Sequence, residues 1–233
     1  MVTDGLVFLI DAANTKSYPG TGATVTDIAQ GVSGTKGTAV SLVTYNGVKT
    51  FQFTSTDANN FISFTSGTND YEFSTQSVAT WINTTTAKTN MDFITGLNSG
   101  DGSDRWRHQT TNTLGAGVKG IELDWIHTEG WGYFAAPLTY DDGNWHYFVT
   151  TFDDGTNTGT LYWDGVEITI TASSTTPDWT TGENINKLSV GGDEQELGSN
   201  FIGYMPLAKM YNRVLTGAEV LQNYNALKGR FGL

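Results

Sequence analysis

The chain has 233 residues, 38% hydrophobic and 12% aromatic, which is long enough to bury a core and fits one large all-β domain or two small ones. Its 12 basic and 24 acidic residues leave a formal charge of -12, which repels phosphate backbones and anionic membranes and argues against nucleic-acid and membrane partners. With no cysteine, disulfides, thiolate metal sites and cysteine nucleophiles are excluded, and the composition suits assembly in a reducing cytoplasm.

Thr, Ser, Gly and Asn are abundant, which predicts many short strands joined by tight turns. The opening MVTDGLVFLIDA lacks the basic region and long apolar segment of a secretory signal, and no apolar run approaches the ~18 residues of a membrane span. Its apolar run GLVFLIDA is the first strand candidate, and residues 13–37 read as a long, turn-rich surface excursion. In AVSLVTYNGVKTFQF, Asn46-Gly47 predicts a two-residue hairpin turn within residues 40–53. Apolar runs follow at NFISF, SVATWIN, MDFITG and GVKGIELDWI. The alternation in NWHYFVTTF predicts a strand covered on both faces, and Asp164-Gly165 in YWDGVEI predicts a second tight hairpin. Residues 171–184 are polar and read as a loop, before INKLSVGG and FIGYMPLAKMYN.

One short helix is predicted at about 217–228. Thr216 and Glu219 form a capping box, Val220, Leu221, Tyr224 and Leu227 an apolar stripe, and Lys228-Gly229 a stop. Its expected role is to close one end of a two-sheet sandwich.

Three stretches together resemble a known family: GLVFLIDAANTKSYPGTGATVTDIAQG, DGNWHYFVTTFDDGTNTGTLYWDGVEI and LAKMYNRVLTGAEVLQNYNALKGRFGL. They are similar to laminin-G-like, concanavalin A-like jelly rolls of the kind found in tailed-phage structural proteins. The resemblance spans nearly the whole chain in order, with residues 65–135 the least diagnostic part. It implies a single domain over 1–233, all-β, an antiparallel two-sheet jelly-roll sandwich in which the first strand lies beside the last (about 201–212). It also implies a non-enzymatic virion protein, a capsid decoration or a tail or fibre component assembled in the bacterial host cytoplasm. The expected partners are other virion proteins, symmetric copies of the chain, and host or environmental glycans.

The segment GIELDWIHTEGWG places Glu122 and Asp124 where jelly-roll glucanases and carrageenases carry the first two carboxylates of a Glu-x-Asp-x-Glu or Glu-x-Asp-x-x-Glu strand. Ile126 and His127 stand where the last Glu would be. Glu129 is seven residues beyond Glu122, roughly 23 Å along a straight strand and on the opposite face. A retaining glycosidase needs its two carboxyl groups about 5–5.5 Å apart. Glu122 and Asp124, ~7 Å apart along the strand, remain an acid and nucleophile pair in a hydrolase reading. The plainer reading is a strand with Ile121, Leu123 and Trp125 turned inward, Glu122, Asp124 and Ile126 solvated, and an aromatic, glycine-rich loop after it.

Flat aromatic rings beside polar groups suit sugar recognition, which makes Trp106, Arg107, Trp131 and Tyr133 candidate glycan-binding residues, while Trp125 and Trp145 suit core packing. Calcium is the candidate cofactor, with oxygen ligands in three loops, around Asp57 and Asn59, at Asp153 to Asn157, and around Asp193 to Glu196. A calcium-assisted lectin or adhesin is therefore the alternative function. His108, His127 and His146 have no metal-ligand spacing, and no serine-hydrolase or nucleotide-binding motif is present.

Overall fold

The computed structural model describes the whole chain except residues 56–57, 67–70, 72, 99–103, 112, 128–129, 176–184 and 197, and the side chain of residue 127. In chain order the strands are β1 (Leu6–Asp11), β2 (Thr24–Thr26), β3 (Ser33–Lys36), β4 (Val40–Tyr45), β5 (Val48–Phe53) and β6 (Ile62–Thr65). Then come β7 (Thr75–Asn83), β8 (Asp92–Asn98), β9 (Arg105–Thr110), β10 (Gly120–His127), β11 (Gly130–Pro137) and β12 (His146–Asp153). The last are β13 (Thr158–Trp163), β14 (Val166–Ile168), β15 (Ala172–Ser174), β16 (Ile185–Val190) and β17 (Gly203–Tyr211), followed by helix α1 (Gly217–Leu227) and a 3-10 turn (Lys228–Phe231).

The strands form two antiparallel sheets, as expected of a concanavalin A-like jelly roll. One has eight strands in the order β14-β13-β12-β7-β17-β5-β4, with β1 also pairing β17. The other has nine, in the order β15-β11-β10-β9-β8-β16-β6-β3-β2. The first strand lies beside the last, Leu9 opposite Lys209. Both predicted hairpins form, and each turn has two residues at positive φ: Asn46 and Gly47 (49° and 78°), and Asp164 and Gly165 (52° and 83°). This is the backbone of a type I′ turn, which matches the twist of the flanking strands.

Three expected loops contain strands instead. The excursion at 13–37 carries β2 and β3, residues 172–174 form β15, and the glycine-rich stretch after Glu129 is β11, paired along its full length with β10. Gly132 in that stretch is a space, not a turn. A Cβ there would fall 2.2 Å from the Trp125 ring, and Gly96 makes the same room for Trp106 on the neighbouring pair of strands.

Two apolar layers result. The main core lies between the sheets and includes Phe8, Phe64, Phe93, Trp106, Trp125, Phe148 and Phe152. Within it His108 stacks on Phe148 at 3.9 Å and hydrogen-bonds Thr80 Oγ1 and Thr150 Oγ1 across the gap, at 3.2 and 3.1 Å. Burial pushes its pKa well below the usual value, so the ring is neutral.

A second layer covers the outer face of the eight-stranded sheet, where Trp81, Tyr147, Leu207 and Tyr211 meet Leu215, Val220 and Phe231. This explains why β7 and β12 are buried on both faces. The capping box at Thr216 and Glu219 is present. The apolar stripe is narrower than expected: Leu221 is 44% exposed, while Asn223 is fully buried and bonds Val2 N and Tyr211 Oη. The α-helix ends at Leu227, at the expected stop, and the chain tightens into the 3-10 turn, which stacks Phe231 on Trp81 at 3.9 Å.

Candidate functional site

On the outer face of the nine-stranded sheet, alternation in β9, β10 and β11 presents Arg105, Arg107 and Gln109, then Glu122 and Asp124, then Trp131 and Tyr133. Register sets Asp124 opposite Arg107 on one side and Tyr133 on the other, and Glu122 opposite Gln109. Residues separated by two on a strand share a face, so the Arg-x-Arg-x-Gln and Glu-x-Asp patterns meet.

The carboxylates are bound from all sides. Asp124 accepts from Arg107 Nε (2.9 Å) and Nη2 (2.5 Å), from Gln109 Nε2 (3.1 Å) and from Trp131 Nε1 (3.0 Å). Glu122 accepts from Gln109 Nε2 (2.8 Å), Thr111 Oγ1 (2.5 Å) and Thr113 Oγ1 (3.0 Å). The predicted facing is correct, but the predicted solvation is not: both side chains are 0% exposed. Desolvation, then repulsion from Asp124, pushes the Glu122 pKa up to about 7. Asp92, on β8 opposite Gln109, is also fully buried, and neither of its carboxyl oxygens has a partner among the described residues. Burial raises its pKa well above the carboxylate range.

A loop straps across this face. Arg105 binds Asp193 (3.0 Å) and Glu196 (2.7 Å), Arg107 binds Glu196 (2.6 Å), and Lys187 pairs with Glu194. Arg107 thus joins Asp124 on the sheet to Glu196 on the loop through a planar fork. The neighbouring carboxylates raise its pKa further against the opposing effect of burial. Asp193 Oδ1 accepts from the backbone N–H groups of Gln195 and Glu196, which fixes the loop's turn.

The candidate sugar-binding residues separate. Trp106 is a core residue, not a surface one: it is 1% exposed and its Nε1 donates to Tyr71 O, because alternation in β9 turns it inward while Arg105 and Arg107 turn out. Arg107 is 5% exposed and belongs to the strap. Trp131 is 39% exposed and lies 4.7 Å from the Tyr133 ring, with its indole N–H held by Asp124. Trp125 and Trp145 are buried, as expected.

Of the candidate calcium ligands, Asp57 lies outside the described residues, Asn59 is on an exposed turn, and Asp193 is buried in its contacts with Arg105 and the loop backbone. Among the described residues no group of three His, Cys, Asp or Glu side chains is arranged to hold a metal ion. Glu129 also lies outside the described residues. Gln109, Thr111 and Thr113 had no place in the sequence reading; the signal that reveals Gln109 is its spacing of two from Arg107 and Arg105 on a strand that faces Glu122 and Asp124.

What this face can do follows from its bonding. Each oxygen of Glu122 and Asp124 has at least one hydrogen-bond partner, and through Asp124 this network holds the Trp131 ring. The exposed part is the Trp131 ring, beside Tyr133.

Comparison with known proteins agrees with this architecture. Among solved structures, the chain resembles domain 4 of AbnA, a GH43 extracellular arabinanase from Geobacillus stearothermophilus determined in complex with arabinotriose (TM-score 0.66, 15% identity, 93% of this chain and 97% of that one). It also resembles the binding domain of Paraclostridial Mosquitocidal Protein 1 (0.60, 15%, 95% and 52%). A third likeness comes from work on botulinum neurotoxin type C, described as entering cells through two ganglioside molecules (0.63, 10%, 96% and 51%). The chain therefore spans about half of each toxin structure, and at these identities the likeness is one of fold. No curated protein matches the sequence. The Laminin_G_3 family, described as the concanavalin A-like lectin/glucanases superfamily, matches residues 54–221, most of the chain. The protein is a member of that superfamily.

Proposed function

We propose that the chain is a non-catalytic glycan-binding module that contacts sugar through Trp131 and Tyr133 on the outer face of the nine-stranded sheet. The observation that carries this reading is the exposed Trp131 ring, held edge-on by the Asp124 carboxylate and braced by Tyr133. A fixed, partly exposed indole presents an apolar plate to the C–H face of a pyranose or furanose, and the polar groups beside it, Glu196 among them, can meet hydroxyls. The structural neighbours solved with arabinotriose or linked to gangliosides support carbohydrate as the ligand class.

We further place the module on a phage virion, as a capsid decoration or a tail or fibre component present in symmetric copies. This part rests on the terminal segments LIDAANTKSYPGTG and MYNRVLTGAEVLQNYNALKGRF. Mass spectrometry of purified particles should find the chain in the virion, and its absence there would refute the placement.

Binding is tested on a glycan array and by titration calorimetry with arabinotriose. Trp131→Ala should reduce affinity for any bound glycan by tenfold or more, a loss of about 1.4 kcal/mol, while the domain stays folded. If no glycan binds at millimolar concentration, or if Trp131→Ala binds as the wild type does, the reading fails. Parallel titrations with calcium and with a chelator test whether the binding is calcium-assisted.

A further inference from the structure

The geometry points to a second saccharide site, on the opposite sheet, in the cleft beside the stacked rings of Tyr45 and Tyr204. The two rings lie 3.9 Å apart and 12° from parallel, and both are partly exposed. Trp145 packs against both, at 6.2 and 6.5 Å, and itself contacts Phe231 of the second core. The aromatic pair is thus anchored to the packed layer beneath the C-terminal helix. Tyr45 sits at the mouth of the Asn46-Gly47 hairpin and Tyr204 at the start of β17, so both arise from regular strands.

The cleft holds about 280 Å³, close to the lower end of small-molecule sites. Gln52, Asn83, Thr85 and Thr86 line it together with the two tyrosines, and none of the described lining residues carries a charge. Hydroxyl and carboxamide groups both donate and accept, which matches a neutral polyhydroxylated ligand and gives an anionic one no counter-charge. An aromatic ring beside such groups suits the apolar face of a sugar ring. The volume fits a short segment of a neutral oligosaccharide.

This site differs from the Trp131 face, which is built on ion pairs and lies on the other sheet. A chain with both sites would hold two glycan segments on opposite sides, and a displayed array of copies would gain avidity from them.

The test is amide NMR of isotope-labelled full-length protein titrated to millimolar concentration with cellotriose, maltotriose and mannotriose, and with sialyllactose as the anionic control. At least one neutral trisaccharide should shift the amides of Gly203, Tyr204, Thr85 and Thr86, and sialyllactose should not. Tyr204→Ala should abolish those shifts while Trp131→Ala preserves them. Thr85 is exposed, so Thr85→Trp blocks the cleft with little risk to folding and should abolish them too. No shift with any neutral probe overturns the proposal, as do shifts that survive Thr85→Trp or an equal response to sialyllactose. Shifts confined to the Trp131 face would overturn this second site while leaving the first reading intact.

Discussion

Replacing Glu122 by Gln removes a proton-binding group whose pKa rises from 4.5 to about 7 on folding. Between these values the folded protein holds a proton that the unfolded chain has released, so stability falls as pH rises. The contribution is intact below the unfolded value and lost as pH passes about 7. A shift of this size corresponds to roughly 3 kcal/mol. Glutamine keeps the shape: its carbonyl can accept from Gln109 Nε2, and its amide can donate to the hydroxyls of Thr111 and Thr113. Urea unfolding followed by tryptophan fluorescence, at about pH 5 and about pH 8, should therefore show Glu122→Gln gaining on the wild type by as much as roughly 3 kcal/mol at the higher pH. His108 works in the opposite direction. Its depressed pKa makes stability fall as pH drops below the usual histidine value, but that effect is common to both proteins and cancels in the difference. A wild-type-minus-variant difference that does not change between the two pH values would refute the reasoning.

Three further outcomes are expected from equilibrium unfolding. Arg107→Ala leaves Asp124 buried without its fork and leaves Glu196 held to the sheet by Arg105 alone, and should cost about 3–5 kcal/mol. A midpoint within error of wild type would mean that the strap contributes nothing. Gly96→Ala would place a Cβ 2.2 Å from Trp106 Nε1, so the ring must move, at a cost of about 1–3 kcal/mol and with a changed near-ultraviolet signal. Thr216→Ala removes the acceptor for Glu219 N and should cost about 1 kcal/mol, with a small loss of helical circular dichroism.

The parts of the fold that could be read from sequence are those where local chemistry acts alone. Asn46-Gly47 and Asp164-Gly165 demand positive φ whatever surrounds them, and Thr216 with Glu219 satisfies helix N–H groups within one turn. The strands β2, β3 and β15 have only three or four residues each, too short for an alternation to stand out from a turn. In RWRHQT the expectation of Trp106 as a sugar-binding residue fails because alternation turns Arg105, Arg107 and Gln109 outward. Its inward Trp106 and His108 are buried only because another sheet lies over them, and nothing local marks that. GWGYF misled for a related reason: Gly132 reads as a turn residue until Trp125 is seen to occupy its missing side chain.

The same distinction decides what Glu122 and Asp124 are for. Their pattern matches the start of a hydrolytic strand, but chemistry at a carboxylate requires an oxygen that can approach a substrate. Seven hydrogen bonds close on these two groups, four on Asp124 and three on Glu122. Freeing Asp124 for attack would mean breaking the Arg107 fork, leaving that guanidinium paired with Glu196 alone. It would also release Trp131 Nε1, the bond that fixes the exposed ring. One carboxylate therefore orients the exposed indole and, through Arg107, shares a guanidinium with the neighbouring loop. The bonds that hold Asp124 thus fix the Trp131 ring and leave no oxygen of Asp124 without a donor.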